Sequence, residues 1–410
     1  MAVTQRKYDL YGETFRADPY AIFAAMRAHD PVFRQPGLDG ETPIWFLTSY
    51  EHVAAVLLDD TRFVRDPRLA FTEEELAAQE RPRFPDAIEN HMLNRDGDDH
   101  RRLRRLVTKA FTPKMVEQLR PRIQAIADEL LDGVETRGRM NLAAEYAFPL
   151  PITVIAELLG VPTADQDRFR RWSDAIITPG LTDEELQRFF AQMGEFVEYL
   201  TALFAERRAH PSDDLVSALL RARDESDGLT EDEVFGTVVL LIVAGHETTV
   251  GLIGNAVLNL LSEPGQLARV RADESLLPAA IEELLRYEGP VERTLNRWAT
   301  TDVELGGQTI RRGELVIAIV NAADRDPELF PDPDRLDVTR GDFRHLAFGR
   351  GSHYCLGAPL ARLEAEVALA TLFRRLPGLR LAATRDELRW RPTPGFRRLE
   401  ALPVAWDARN

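Results

Sequence analysis

The stretch Phe348-Gly349-Arg350-Gly351-Ser352-His353-Tyr354-Cys355-Leu356-Gly357 decides how the rest of the chain is read. It packs three glycines around the only cysteine of 410 residues, directly before a helix that starts near Ala358-Pro359. Glycine lets the backbone turn so that amide N–H groups face the sulfur, and the positive end of the following helix favours a thiolate. One cysteine excludes an intramolecular disulfide and a Cys-Cys metal site. In ordinary surroundings a lone cysteine is a small buried hydrophobe. A cysteine nucleophile with His353 or His345 as base, in a hydrolase, is the other alternative. His353 lies only two residues away and is not obviously aimed at the sulfur, which disfavours it.

Upstream, Thr230 followed by Glu233 makes a capping box and Pro264-Gly265 makes a stop, so one helix of roughly 47 Å spans residues 231–262. Its middle, TVVLLIVAGHETTVGLIG, is apolar on nearly every face, as in a helix buried in a large core. It carries Glu247, Thr248 and Thr249 into that core. A buried carboxylate is costly, so Glu247 is either paired with a structural cation or kept for proton chemistry, and the motif alone leaves both open. Gly245, three residues before Thr248, removes side-chain bulk and would let something approach the backbone.

Around these two segments helical periodicity dominates, at 19–29, 49–58, 98–111, 114–135, 165–177, 182–208, 212–223, 275–287 and 358–375. Strand signals are short: Ile44 to Thr48, a hairpin from Val303 to Ile310 turning on Gly306-Gly307, Leu315 to Val320, and weak pairs near the C-terminus. The pattern predicts a mainly α fold with small β-sheets. Length alone suggests two or three domains, but no linker, repeat or low-complexity tract divides the chain, so a single domain over 1–410 is expected. Residues 63–97, rich in Pro, Phe and charge, form an unusually long loop, either a lid over a site or a surface excursion.

The longest apolar run, Val238 to Ala244, is far below the ~18 residues of a membrane span, and the N-terminal residues show no secretory signal. A cytoplasmic protein that avoids membranes is expected. A net charge of −16 argues against nucleic-acid binding. Against that background Arg101, Arg102, Arg104, Arg105 and Lys109 form a local basic cluster.

The loop FGRGSHYCLG, the helix centre AGHETT and Glu283-Leu284-Leu285-Arg286, in this order and spacing, resemble the cysteine loop, oxygen-activating helix and ExxR motif of cytochromes P450, especially the soluble bacterial macrolide and polyketide hydroxylases. The resemblance runs from about Asp18 to near the C-terminus. It implies the cytochrome P450 fold, with haem b between the central helix and the cysteine loop. Cys355 would be the axial thiolate of the iron; this same family is the standard example of a thiolate that pushes electron density toward haem iron to favour O–O cleavage. Phe348, Gly349, Gly357 and Ala244 would flank the haem, and His100, Arg104, Arg297 and His353 would receive its propionates. Thr248 would hydrogen-bond dioxygen, the co-substrate, and Glu247 would relay protons. Glu283, Arg286 and Arg335 would form a buried structural ion cluster. Relatives commonly read Asp-Pro-Pro before the His100 position; here Asp96-Gly97-Asp98-Asp99 suggests a looser turn.

The resemblance further implies a monomeric monooxygenase that hydroxylates or epoxidises a hydrophobic small molecule such as a macrolide or other polyketide, a steroid or a terpenoid. Electrons would come from NAD(P)H through a ferredoxin reductase and a ferredoxin docked on the outward arginines. The pocket would draw on Ile88, Met92, Leu93, Leu240, Val243, Ala244, the segment Val291 to Leu295, and Phe396. Glu292 or Arg293, turned inward, would meet a charge on the substrate; otherwise they face solvent or each other. A haem-thiolate sensor without turnover and a peroxide-driven peroxygenase are the rivals, and retention of Glu247 and Thr248 argues against both.

Overall fold

A computed structural model describes residues 7–78, 89–177, 183–223 and 228–407. The central helix runs Glu231–Ser262, and its capping box is formed: the Thr230 hydroxyl accepts from the Glu233 N–H at 3.2 Å, and the Glu233 carboxylate accepts from the Thr230 N–H at 2.8 Å. Length and composition would let this helix cross a membrane, but 72% of its most apolar window is buried inside the protein, as in a core helix. Pro264 ends it and also opens a further helix, Pro264–Ala272, at a position where a missing N–H costs nothing.

Helices at Tyr20–His29, Tyr50–Leu58, Gly97–Ala110, Gln166–Ile177, Asp183–Ala209, Leu215–Arg223, Leu277–Glu288 and Ala358–Arg375 match the periodic stretches to within a few residues. The stretch 114–135 divides into Pro113–Gln118 and Arg120–Asp132, because Pro121 cannot donate to the preceding turn. The helix Pro149–Leu158 has no legible period in the sequence. Eight of its ten residues are buried, so it has no polar face to set one. It packs on the central helix, as do Leu277–Glu288 and Ala358–Arg375.

The strands are β1 (Val32–Pro36), β2 (Pro43–Leu47), β3 (Phe63–Val64), β4 (Arg139–Asn141), β5 (Arg297–Ala299), β6 (Val303–Leu305), β7 (Gln308–Ile310), β8 (Leu315–Ala318), β9 (Arg380–Leu381) and β10 (Pro403–Ala405). One sheet has the order β1-β2-β8-β5-β3, with β2 and β8 parallel, Ile44 opposite Leu315. The expected hairpin is β6–β7, Val303 opposite Ile310. β4-β10-β9 form a third sheet. The segment 63–97 contains β3, a 3-10 turn at Pro67–Leu69, the short helix Glu73–Ala77 and a 3-10 turn at Met92–Asn94. Residues 79–88, and with them Ile88, lie outside the described residues.

Candidate active site

In the cysteine loop the Gly349 N–H donates to Leu346 O at 2.7 Å, the Cys355 N–H to Phe348 O at 2.9 Å and the Tyr354 N–H to Gly351 O at 3.1 Å. Gly351 holds φ 77°, and a Cβ there would lie 2.7 Å from Leu57 O, so only glycine lets the loop rest on the end of the helix Tyr50–Leu58. The Cys355 side chain is exposed at its surface, in a recess close enough for desolvation to push the thiol up. The amides of Gly357 and Ala358, then the Arg104 and Arg362 guanidinium groups, act in the opposite direction. Those amides are the N-terminal donors of the helix Ala358–Arg375, as the glycine spacing suggested. Arg362 spans from Glu282, at 2.6 and 2.8 Å, to the face of Phe348, 4.4 Å from the ring centre, and steadies the loop. Glu282 also takes His345 at 3.1 Å, while His353 is held by Asp96 at 2.9 Å. Both histidines near the cysteine are therefore committed to carboxylates, which weakens the nucleophile–base alternative.

Asp96 ties three segments together, a role its sequence neighbourhood does not reveal. Its carboxylate accepts from the N–H groups of Arg65 (2.6 Å) and Asp66 (2.7 Å) as well as from His353. Burial alone would raise it; these bonds, His353 first, hold it below the usual carboxylate range. The turn at Asp96-Gly97 is thus tightly fixed rather than loose, and Gly97 sits at φ 60°, which proline cannot reach.

Around Asp96 gather the expected cations. His100 stacks on His353 with ring centres 4.2 Å apart. It is buried, its Nε2 has no hydrogen-bond partner among the described residues, and burial followed by the charges of His353 and Arg104 pushes it down to about 4. Arg297, on β5, is buried and donates to Phe63 O at 2.8 Å. Arg65, absent from the sequence-based set, is buried beside it, donates to Leu93 O at 2.7 Å, and is pushed down to about 9 by burial and by the charge of Arg297. Arg104 donates to Tyr354 O at 2.7 Å, next to the cysteine. Arginines and a histidine pair thus gather around Asp96, with the charge of Asp60 also acting on His100 and Arg297.

The central helix is buried on most sides, with Ala244 exposed and Leu241, Val243, Gly245 and Thr248 partly buried around it. Leu240, expected in the pocket, is enclosed in the core instead; one residue turns a helix by about 100°. Val243 packs against the core and is only partly buried. The Thr248 hydroxyl donates to Ala244 O at 2.9 Å. Gly245 lets the helix Pro149–Leu158 pack closely, since Ile155 would lie 3.2 Å from a Cβ there. Glu247 is buried and paired with Arg398, a residue the sequence does not single out.

Of the remaining pocket residues, Met92 belongs to the main core and Leu93 packs partly buried against it. Val291 and Phe396 meet in an antiparallel bridge. Arg293 does not face a pocket: it is buried, pairs with Glu292 at 2.5 Å, donates to Leu10 O at 3.2 Å and lies over Tyr11 and Phe15, because a charge inside needs its partner close. The ExxR pair is formed, Arg286 reaching Glu283 at 2.7 and 2.9 Å with both side chains fully buried. Arg335 contributes only its carbonyl, to Arg286 at 3.3 Å; its guanidinium is exposed and 3.7 Å from Asp337. The third charge is Arg340, whose Nε lies 3.1 Å from both Glu283 oxygens.

A cytochrome P450 profile matches residues 19–159 and 163–377. Cytochrome P450 107B1 of Saccharopolyspora erythraea is 47% identical over 403 residues, 96% of each chain. The 6-deoxyerythronolide B hydroxylase of the same organism is 41% identical over 406 residues, 97% of this chain and 98% of its own. The crystal structure of myxobacterial cytochrome P450 CYP267B1 in complex with myristic acid superposes with a TM-score of 0.90 at 44% identity, covering 98% of this chain and 99% of that one. With this helical fold and a glycine-wrapped lone cysteine beside a cation cluster, the chain belongs to the cytochrome P450 family. It is a monooxygenase of that family, working with a haem-thiolate, dioxygen and electrons from reduced nicotinamide passed through redox partners. The donor set fits the group: a soft sulfur faced by amide N–H groups for the iron, and buried cations, with an orphaned histidine nitrogen beside them, for two propionates.

Proposed function

We propose that Cys355 would bind the iron of haem b through its thiolate and that His100, Arg104, Arg297 and His353, with Arg65 behind them, would hold its propionates. The observation that carries this reading is the convergence of the only cysteine, the Gly357 and Ala358 amides and the Asp96-centred cations on one recess. Phe348, Gly349 and Gly357 would flank the group on the cysteine side and Ala244 on the side of the central helix. Bound there, the haem supplies the dioxygen activation and substrate oxidation that side chains cannot. Thr248 would turn toward dioxygen the hydroxyl that here donates to Ala244 O, and Glu247 would supply protons. Arg286, Glu283 and Arg340 keep the chain behind the cysteine loop rigid.

The substrate is a hydrophobic small molecule placed against Ala244, Val243, Leu93, Val291 and Phe396. A polyketide or macrolide is the class we favour, in keeping with the 6-deoxyerythronolide B hydroxylase among the relatives; the myristic acid complex supports a fatty acyl chain as the other apolar option. We place the enzyme in the cytoplasm, as one monomeric unit, with a ferredoxin docking on the outward cations Arg101, Arg105 and Lys109 of the groove there. Turnover with a ferredoxin, its reductase and NAD(P)H, measured on apolar natural products that displace the spectral signature of the resting enzyme, tests this; product formed only with peroxide would overturn it.

A further inference from the structure

Glu247 is 2% exposed and Arg398 6%, and the Arg398 guanidinium pairs with Oε2 of the acid. Among the described residues the other oxygen, Oε1, is buried without a hydrogen-bond partner, and so is Nε of Arg398. A buried carboxylate whose two oxygens differ in this way has one fixed atom and one uncommitted atom. The backbone at the arginine is fixed, its carbonyl accepting from the Arg391 N–H at 2.8 Å. Arg397, its neighbour, donates its N–H to Pro290 O at 2.8 Å and its guanidinium to Glu288 at 2.7 Å. Leu399 bridges Trp390 in the backbone, and Phe148 lies under the Arg398 guanidinium at 5.5 Å. His246, the adjacent titratable group on the central helix, is bonded through Nδ1 to Ile242 O at 2.7 Å and meets the same Phe148 ring edge-on at 5.8 Å.

We propose that Arg398 is the positioning residue for Glu247, anchoring Oε2 so that Oε1 alone exchanges the proton. The inference rests on the reading of Glu247 as proton supplier. It assigns to a C-terminal residue, two positions past Phe396, control over the charge and aim of an acid on the central helix. Without the cation, the buried carboxylate is left to take up a proton and to rotate.

The test compares Arg398→Gln, Arg398→Lys, Glu247→Gln and the Arg398→Gln/Glu247→Gln double variant, all haem-loaded. Infrared spectra read the C=O stretch of a protonated carboxyl, and product formed per NAD(P)H consumed reads coupling. Arg398→Gln is expected to gain the carboxyl band, the double variant to lack it, and Arg398→Lys to lack it. Coupling should fall about tenfold in Arg398→Gln, less than a proton group itself supplies, and recover partly in Arg398→Lys. Absence of the new band together with wild-type coupling in Arg398→Gln would overturn the proposal. If Arg398→Gln does not fold, Arg398→Lys carries the test: coupling below wild type supports it and wild-type coupling overturns it. Wild-type coupling in Glu247→Gln would instead remove the role of Glu247, and the infrared result would still judge the pairing.

Discussion

Replacing Arg340 by methionine probes the ion cluster behind the cysteine loop. The Arg340 guanidinium reaches both Glu283 oxygens at 3.1 Å and the carbonyls of Pro331, Asp332 and Arg335 at 2.6, 3.1 and 2.9 Å, with 11% of the side chain exposed. Stranding one charge of a buried pair costs about 3–5 kcal/mol. Glu283 keeps Arg286, so the lower end, about 3 kcal/mol, applies. Arg335 is 61% exposed and 3.7 Å from Asp337, and its useful group, the carbonyl, survives substitution. Its replacement should cost at most about 1 kcal/mol. In a chain this long, about 3 kcal/mol lowers Tm by roughly 3–4 °C. Thermal and urea unfolding of haem-loaded wild type, Arg340→Met and Arg335→Met measure the difference. Equal losses, or a larger one from Arg335, would refute the assignment of Arg340 as the third charge.

Thr248→Ala is expected to go on consuming NAD(P)H while releasing peroxide or water in place of product; unchanged coupling would count against the role of its hydroxyl. Arg102 is tied to Glu233 and to Gly228 O at 3.2 Å, whereas Arg101 is 67% exposed beside Asp98. Arg101→Glu should therefore slow ferredoxin-supported turnover most at low ionic strength, and Arg102→Glu should act mainly through stability. Kinetics against salt, with melts of both variants, separate the two. Burial raises Asp324 to about 7, opposed by the charges of His345 and Arg286 and by the Leu346 N–H bond of 2.6 Å. The folded chain then binds more protons than the unfolded one between about pH 4 and 7, so stability falls as pH rises through that window, by at most about 4 kcal/mol. Asp324→Asn, which still accepts from Leu346, should flatten this part of the stability–pH curve; an unaltered slope would place the proton elsewhere.

Local features are legible in the sequence and long-range ones are not. The capping box at Thr230 and the amides facing Cys355 are made by residues within a turn of one another and form as their spacing implies; the Glu283–Arg286 pair, equally local, forms as the resemblance implies. Asp96 meets His353 across 257 positions, Arg398 meets Glu247 across 151, and Arg340 meets Glu283 across 57. No periodicity links such pairs, so nothing in the sequence replaces the Arg335 that the resemblance implies by Arg340, and the pairing of Glu247 stays open. The same limit explains Arg293, whose partners, beyond its neighbour Glu292, come from the segment around Leu10. The Pro149–Leu158 helix is hidden for the opposite reason: burial on nearly every side leaves no amphipathic signal, though the packing of Ile155 on Gly245 depends on it.

The most direct test of the account is the spectrum of the reduced protein under carbon monoxide. Protein expressed with adequate haem should be red, and its ferrous carbon monoxide complex should show the red-shifted band of thiolate ligation. Cys355→Ser and Cys355→His should each abolish it. A colourless wild type, or a band that survives either substitution, would contradict the assignment of Cys355 as the ligand.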